Sequence, residues 1–224
     1  MVDEPTYVYY PVFGSHGSLM GEPPSADVFA EEAERLFEKW SDRVQVRGTY
    51  TTAGFGPTAG LMMWWVSRSA EDIQGLVIDL RRSALGRVIV QGSPYFMGVH
   101  RPPETAPDHV PAFMRGEPPR RYLCVYPFVR TPEWYLLPKQ ERADLLAEHG
   151  VMGREFPGVL PNTTSAFGLG DHEWILAFEA DDLVELVDCI RRLRDSKSRL
   201  YVKAETPFVT GIRKDLAEVI GDVL

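Results

Sequence analysis

RYLCVYPFVR, residues 121–130, repeats a tyrosine-proline strand motif already met in TYVYYPVFG, residues 6–14, and Tyr126 follows Tyr10 by 116 residues. A motif that returns at about half the chain length signals a doubled architecture. Working outward, LMMWWVSRSAEDIQGLVIDLRRSALG (61–86) is mirrored by EWILAFEADDLVELVDCIRRLRDS (173–196). Both read as an apolar strand, an acidic helix start and an amphipathic helix ending in arginines. SPYFMGVHR (93–101) lines up with TPFVTGIRK (206–214), which sets Ser93 against Thr206 at a spacing of 113 residues.

Each half therefore reads as strand, helix, strand, strand, helix, strand, the ferredoxin-like order. The first helix of half one is ADVFAEEAERLFEKW, with Phe29, Leu36 and Trp40 on one stripe. That of half two is PKQERADLLAEHG, with Pro138 near its entry and Gly150 at its end. The expected fold class is α+β: two tandem ferredoxin-like repeats forming a dimeric-α/β-barrel-like subunit, with antiparallel sheets and helices outside. The expected division is an N-terminal repeat over 1–101, a proline-rich linker or lid over 102–119, and a C-terminal repeat over 120–224.

With 224 residues, 44% of them hydrophobic and 25% charged, the chain can bury a substantial core. The acidic opening MVDEPTYVYY and the absence of any long uncharged apolar run argue against export and membrane spanning, so a cytoplasmic location is expected. Cys124 and Cys189 each sit in an apolar segment without a zinc spacing, and are read as buried, reduced thiols. A formal net charge of −8 and the lack of a basic run exclude nucleic acid as a partner class.

If the halves share a scaffold, residues found in only one of them are candidates for function. The first motif runs into Gly14, whereas the second runs into Arg130. Strand alternation puts Tyr122, Cys124, Tyr126, Phe128 and Arg130 on one face, which gathers a phenol and a guanidinium; for a lone strand the simpler reading is a surface-facing strand with a snorkelling arginine. In the second half's first helix, Leu145, Leu146 and His149 fall on the stripe that packs on the sheet, where the first half has Ala33 and no histidine. His149 is expected to be buried, either as a core histidine or as a ligand to an iron porphyrin. His109 sits in the linker, where the chain could fold over a site. No HExxH, paired-cysteine, P-loop or nucleophile-elbow pattern occurs.

RYLCVYPFVRTPEWYLLPKQERADLLAEHGVMGREFPGV, SAFGLGDHEWILAFEADDLVELVDCIRRLR and TPFVTGIRK together resemble the chlorite dismutase superfamily, in particular its coproheme decarboxylase branch of the actinobacterial type. The resemblance implies peroxide-dependent decarboxylation of iron coproporphyrin III (coproheme) to haem b, with coproheme as both substrate and redox cofactor. It implies His149 as the proximal ligand of the iron and Tyr126 as the radical relay that takes hydrogen from a propionate. Arg130 matches the propionate anchor, Trp134 an aromatic at the same porphyrin edge, and His109 the distal base for bound hydrogen peroxide. A homopentamer is implied as well. Two other readings remain: a chlorite dismutase, which looks for an arginine thirteen residues after the proximal histidine where this chain has Asn162, and a haem-binding or delivery protein without turnover.

Overall fold

The computed structural model describes residues 5–15, 24–56, 60–92, 95–102 and 110–224. They fall into two compact units, one of Met1–His100 with Val209–Leu224 and one of Arg101–Phe208. The first contains β1 (Tyr7–Tyr10), β2 (Val12–Ser15), α1 (Ala26–Trp40), β3 (Val44–Thr51), β4 (Gly60–Ser67), α2 (Ala70–Arg82), α3 (Ala84–Val88), β5 (Ile89–Gln91) and β6 (Phe96–Val99). The second contains β7 (Tyr122–Arg130), α4 (Pro132–Leu136), α5 (Lys139–Gly153), β8 (Leu160–Ser165), β9 (Trp174–Ala180), α6 (Leu183–Leu193), a 3-10 turn at Lys197–Tyr201 and β10 (Val202–Ala204). The chain then returns to the first unit through β11 (Val209–Arg213) and α7 (Leu216–Val223).

The duplication is visible in the element bounds. α3 and the 3-10 turn, β5 and β10, and the starts of β6 and β11 each recur after 113 residues. Matched strands pair alike, all antiparallel: β5–β2–β4–β3 in the first unit and β10–β7–β9–β8 in the second. This is the ferredoxin-like order. Pro11, with no N–H to give the ladder, separates β1 from β2, yet its carbonyl still accepts from Met63 N at 3.1 Å.

Helix starts follow local chemistry. Ser69 caps α2 by accepting from Asp72 N at 3.0 Å, and Asp182 caps α6 by accepting from Val184 N at 2.8 Å. Arginines 81, 82, 191 and 192 then sit in the last turns of these helices, where a positive charge complements the helix dipole. α5 differs from expectation: it does not stop at Gly150 but runs on to Gly153. A glycine inside a helix costs only about 1 kcal/mol, and Gly150 O still accepts from Arg154 N at 3.2 Å, closing the final turn.

The first unit has a core built from Phe29, Ala33, Leu61, Met63 and Trp65, and closed by Leu216, Val219 and Ile220 of α7. β11 and α7, which the repeat reading assigns to the second half, belong to this unit: Ile212 pairs with Thr51 of β3. One core cluster of the second unit groups Cys124, Tyr126, Phe178, Leu186 and Cys189. Both cysteines are buried and free, and burial pushes the Cys189 thiol up to about 11. β7 is not a surface-facing strand, because Cys124 and Tyr126 on one face and Leu123 and Val125 on the other are all buried.

α1 and α2 are locked by Trp40. Its indole N–H donates to Asp79 Oδ2 at 3.2 Å, and the Arg43 guanidinium lies 3.8 Å from the ring centroid. Gly75 of α2 leaves the space this ring fills, since a Cβ there would overlap Trp40 Cη2. Helix propensity alone predicts that Gly75→Ala stabilises by about 1 kcal/mol. Overpacking costs about 1–3 kcal/mol and should win, so urea unfolding of Gly75→Ala should show lower stability than the parent. A gain in stability would mean that the Trp40 contact is slack.

Candidate active site

β7 brings Tyr126 and Arg130 to the same face of the second unit, and each is held in a different way. The Tyr126 ring is 5% exposed, stacks on Phe208 with centroids 4.3 Å apart, and meets the edge of Phe178 at 5.8 Å. Its hydroxyl has no hydrogen-bond partner among the described residues. Burial pushes the phenol well above the ordinary tyrosine range, with Cys124 adding to the shift and the Arg194 guanidinium opposing it. The group is therefore a protonated phenol at neutral pH.

Arg130 lies over aromatic rings, its guanidinium carbon 4.0 Å from the Trp134 centroid and 4.6 Å from that of Phe128. Its Nη1 donates to Ser198 O at 3.0 Å. Burial lowers its pKa to about 10, countered by Tyr135 and Glu173, which still leaves a full cation at neutral pH. One carboxylate fixes this corner: Glu173 Oε2 accepts from Arg130 N at 2.7 Å and from the Tyr135 hydroxyl at 2.6 Å. Trp134 itself is buried in α4, where Pro132 at the helix start suits the missing N–H, and its ring lies 5.7 Å from Tyr201.

His149 sits on α5, and the sequence expectation of a buried ring needs correction: the residue is half-buried. Its Nδ1 is nevertheless shielded from solvent and has no hydrogen-bond partner among the described residues. Burial lowers the imidazole pKa, and the Arg130 charge lowers it further, so the ring is neutral at pH 7. A buried ring nitrogen without a partner costs about 1–3 kcal/mol unless something engages it.

The helix around it is equally unusual. α1 and α5 are matching 15-residue helices, but α1 buries Phe29, Ala30, Ala33 and Trp40 while α5 buries none of its residues. α5 rests chiefly on α6 and the 3-10 turn rather than on strands. On the sheet below, Tyr126, Leu176 and Thr163 form one cross-strand row, of which Thr163 is exposed and Leu176 half-buried. The second unit thus has a helix whose apolar stripe is unfilled and a sheet face that is partly uncovered. A flat apolar group with anionic edges suits this arrangement: His149 could ligate a metal at its centre and Arg130 could hold a carboxylate. Among the described residues there is no cluster of three or more His, Cys, Asp or Glu to hold a bare ion.

Asn162 takes no part in this face. It pairs with Ala177, which is opposite Val125, so it projects to the side of the sheet away from Tyr126. Its amide donates to Leu160 O, Ala177 O and Glu179 Oε1 and accepts from Phe113 N, all within 3.2–3.3 Å. Its neighbour on the Tyr126 face is Thr163, so neither position offers a cation. His109 lies outside the described residues.

Sequence reasoning did not single out Ser198, Glu173 and Tyr135, nor a further group beside Tyr126. There Glu205, its side chain 12% exposed, bridges Arg194 and Arg199, with Arg199 Nη1 at 2.6 Å. The usable signal for this group was the repeat itself, because position 205 matches Gly92 at the 113-residue spacing.

Comparison with known proteins agrees with this architecture. The family model described as Chlorite dismutase matches residues 26–214. A coproheme decarboxylase from Mycolicibacterium smegmatis is 44% identical over 217 residues, spanning 96% of this chain and 92% of that protein. The structure of chlorite dismutase from Candidatus Nitrospira defluvii in complex with imidazole superposes with a TM-score of 0.85 at 23% identity, over 96% of this chain and 94% of that one, a likeness of fold. This chain belongs to the chlorite dismutase family.

Proposed function

We propose that this chain is a coproheme decarboxylase, converting iron coproporphyrin III to haem b with hydrogen peroxide as oxidant. The observation that carries the reading is the neutral imidazole of His149, its Nδ1 shielded and unpartnered among the described residues, on a helix none of whose residues is fully buried, in the same unit as Tyr126 and Arg130. The 44% identity to a protein of that activity supports it. The substrate brings the redox iron. In each of two rounds a propionate loses its carboxyl as carbon dioxide and one β-hydrogen, leaving a vinyl group, while one peroxide becomes two waters.

The protein's part is binding, orientation and relay. His149 would hold the iron through a ring nitrogen, needing no deprotonation at neutral pH. Arg130 would fix a propionate by a charge-assisted bond, and Trp134 packs beside the guanidinium. In an acidic protein this single cation counts for more than net charge, because it is partly desolvated. Tyr126, protonated and shielded, can give up a proton and an electron together and recover both from the propionate β-carbon. His109 as acceptor of the peroxide proton, assembly as a homopentamer and a cytoplasmic location rest on the family likeness. No helix among the described residues is long and apolar enough to cross a membrane. The chlorite dismutase reading finds no guanidinium at Asn162 or Thr163, where an oxychlorine leaving group would need one.

Three variants test this. His149→Ala should lose or shift the ferric Soret band on loading with coproheme; an unchanged spectrum refutes ligation by His149. Tyr126→Phe should bind coproheme and consume peroxide yet retain both propionates, read by mass spectrometry of the extracted porphyrin. Haem b formed at the parental rate removes the relay role, and a parent that never loses mass is a haem carrier. Losing a hydrogen bond to a charged group costs about 1.5–3 kcal/mol, so Arg130→Ala should weaken coproheme binding about 10- to 100-fold; equal affinity refutes the anchor.

A further inference from the structure

A cleft of about 800 Å³ opens in the first unit, far in sequence from Tyr126, at the junction of β2, the end of α2, α3 and β5. Phe13, Ile89 and Tyr95 give it apolar walls, and Arg81 and Arg87 stand at it. Neither arginine has a hydrogen-bond or ion-pair partner among the described residues. A volume of this size lies within the usual range for small-molecule sites.

The duplication says what is missing. At the 113-residue spacing Arg81 matches Arg194 and Tyr95 matches Phe208, the residues that surround Tyr126 in the second repeat. There Arg194 is satisfied by the carboxylate of Glu205. The position matching Glu205 is Gly92, which lines the first-repeat cleft and has no side chain to offer. Where one repeat supplies an internal carboxylate to its arginine, the other leaves an open space bounded by aromatic and aliphatic walls.

We propose that this cleft binds an external aromatic carboxylate, the propionate edge of a porphyrin, with Arg81 and Arg87 as its anchors. No histidine or cysteine lines it, so the site takes the ring system by its carboxylates and walls and gives no ligand to a metal. That the aromatic is a porphyrin rests on the function proposed above; that the site is anionic in preference does not.

The test uses metal-free coproporphyrin III in equilibrium dialysis against the full chain, with the His149 site first saturated with coproheme. One further saturable site per chain is expected. A Cβ on Gly92 would meet only the Val12 carbonyl oxygen at 3.7 Å, so Gly92→Glu can supply the missing carboxylate internally without steric conflict. That variant, and separately Arg81→Glu, should weaken the further site at least tenfold while the coproheme Soret titration and the circular dichroism spectrum stay unchanged. Absence of a saturable second site, or equal binding in Gly92→Glu, overturns the proposal. If coproheme fails to load at His149, the function proposed above fails, and the Gly92→Glu comparison on unloaded chain still decides the cleft.

Discussion

A helix in a two-layer fold holds its place by burying a stripe of side chains, and α5 does not do so. Leu145, Leu146 and His149 face inward and remain only half covered. The matching helix α1 is seated on Phe29, Ala30 and Ala33, so the scaffold allows close contact and the second repeat forgoes it. That stand-off gives His149 a shielded but unengaged nitrogen, and leaves the Tyr126 row of the sheet partly open. The chemistry assigned to the site depends on this gap between helix and strands.

Around the gap, electrostatics is set by burial more than by charge count. Desolvation keeps the His149 imidazole neutral and the Tyr126 phenol protonated, the two states that ligation and hydrogen transfer require. The same burial weakens Arg130 without discharging it, and Glu173 steadies its backbone from the far side of the strand end. Arg194, Arg199 and Glu205 form a second charged group near the phenol, in which both guanidiniums share one carboxylate. In the first repeat a glycine, Gly92, stands at the position of that carboxylate.

Much of this was readable in the residues alone. Period-two alternation in RYLCVYPFVR set Tyr126 and Arg130 on one face, and the recurrence of short motifs at a spacing of 113 to 116 residues pointed to a doubled architecture. Trp134 entered through the family resemblance, as an aromatic at the same edge as Arg130, and its ring lies beside that guanidinium. Other features had no periodic signal. Ser198 reaches Arg130 from 68 positions away, and Glu173 from 43, through contacts that only tertiary folding defines. The half-burial of His149 was missed because a helical stripe reveals which residues face inward but not how far the helix stands from what it faces. Likewise the pairing of β11 with β3 is a choice of edge that no local pattern in TPFVTGIRK encodes.

The placement of Val209–Leu224 bears on how the molecule is made. Val219 and Ile220 complete the core around Phe29 and Trp65, so the earliest-synthesised repeat lacks part of its interior until the later repeat has left the ribosome. Such contacts have high sequence separation, which slows folding and leaves apolar surface open to chaperones in the interval. Severing the chain at residues 102–119 would therefore not release two self-sufficient halves: the amino-terminal fragment would carry an unfinished core, and the other an orphaned strand and helix.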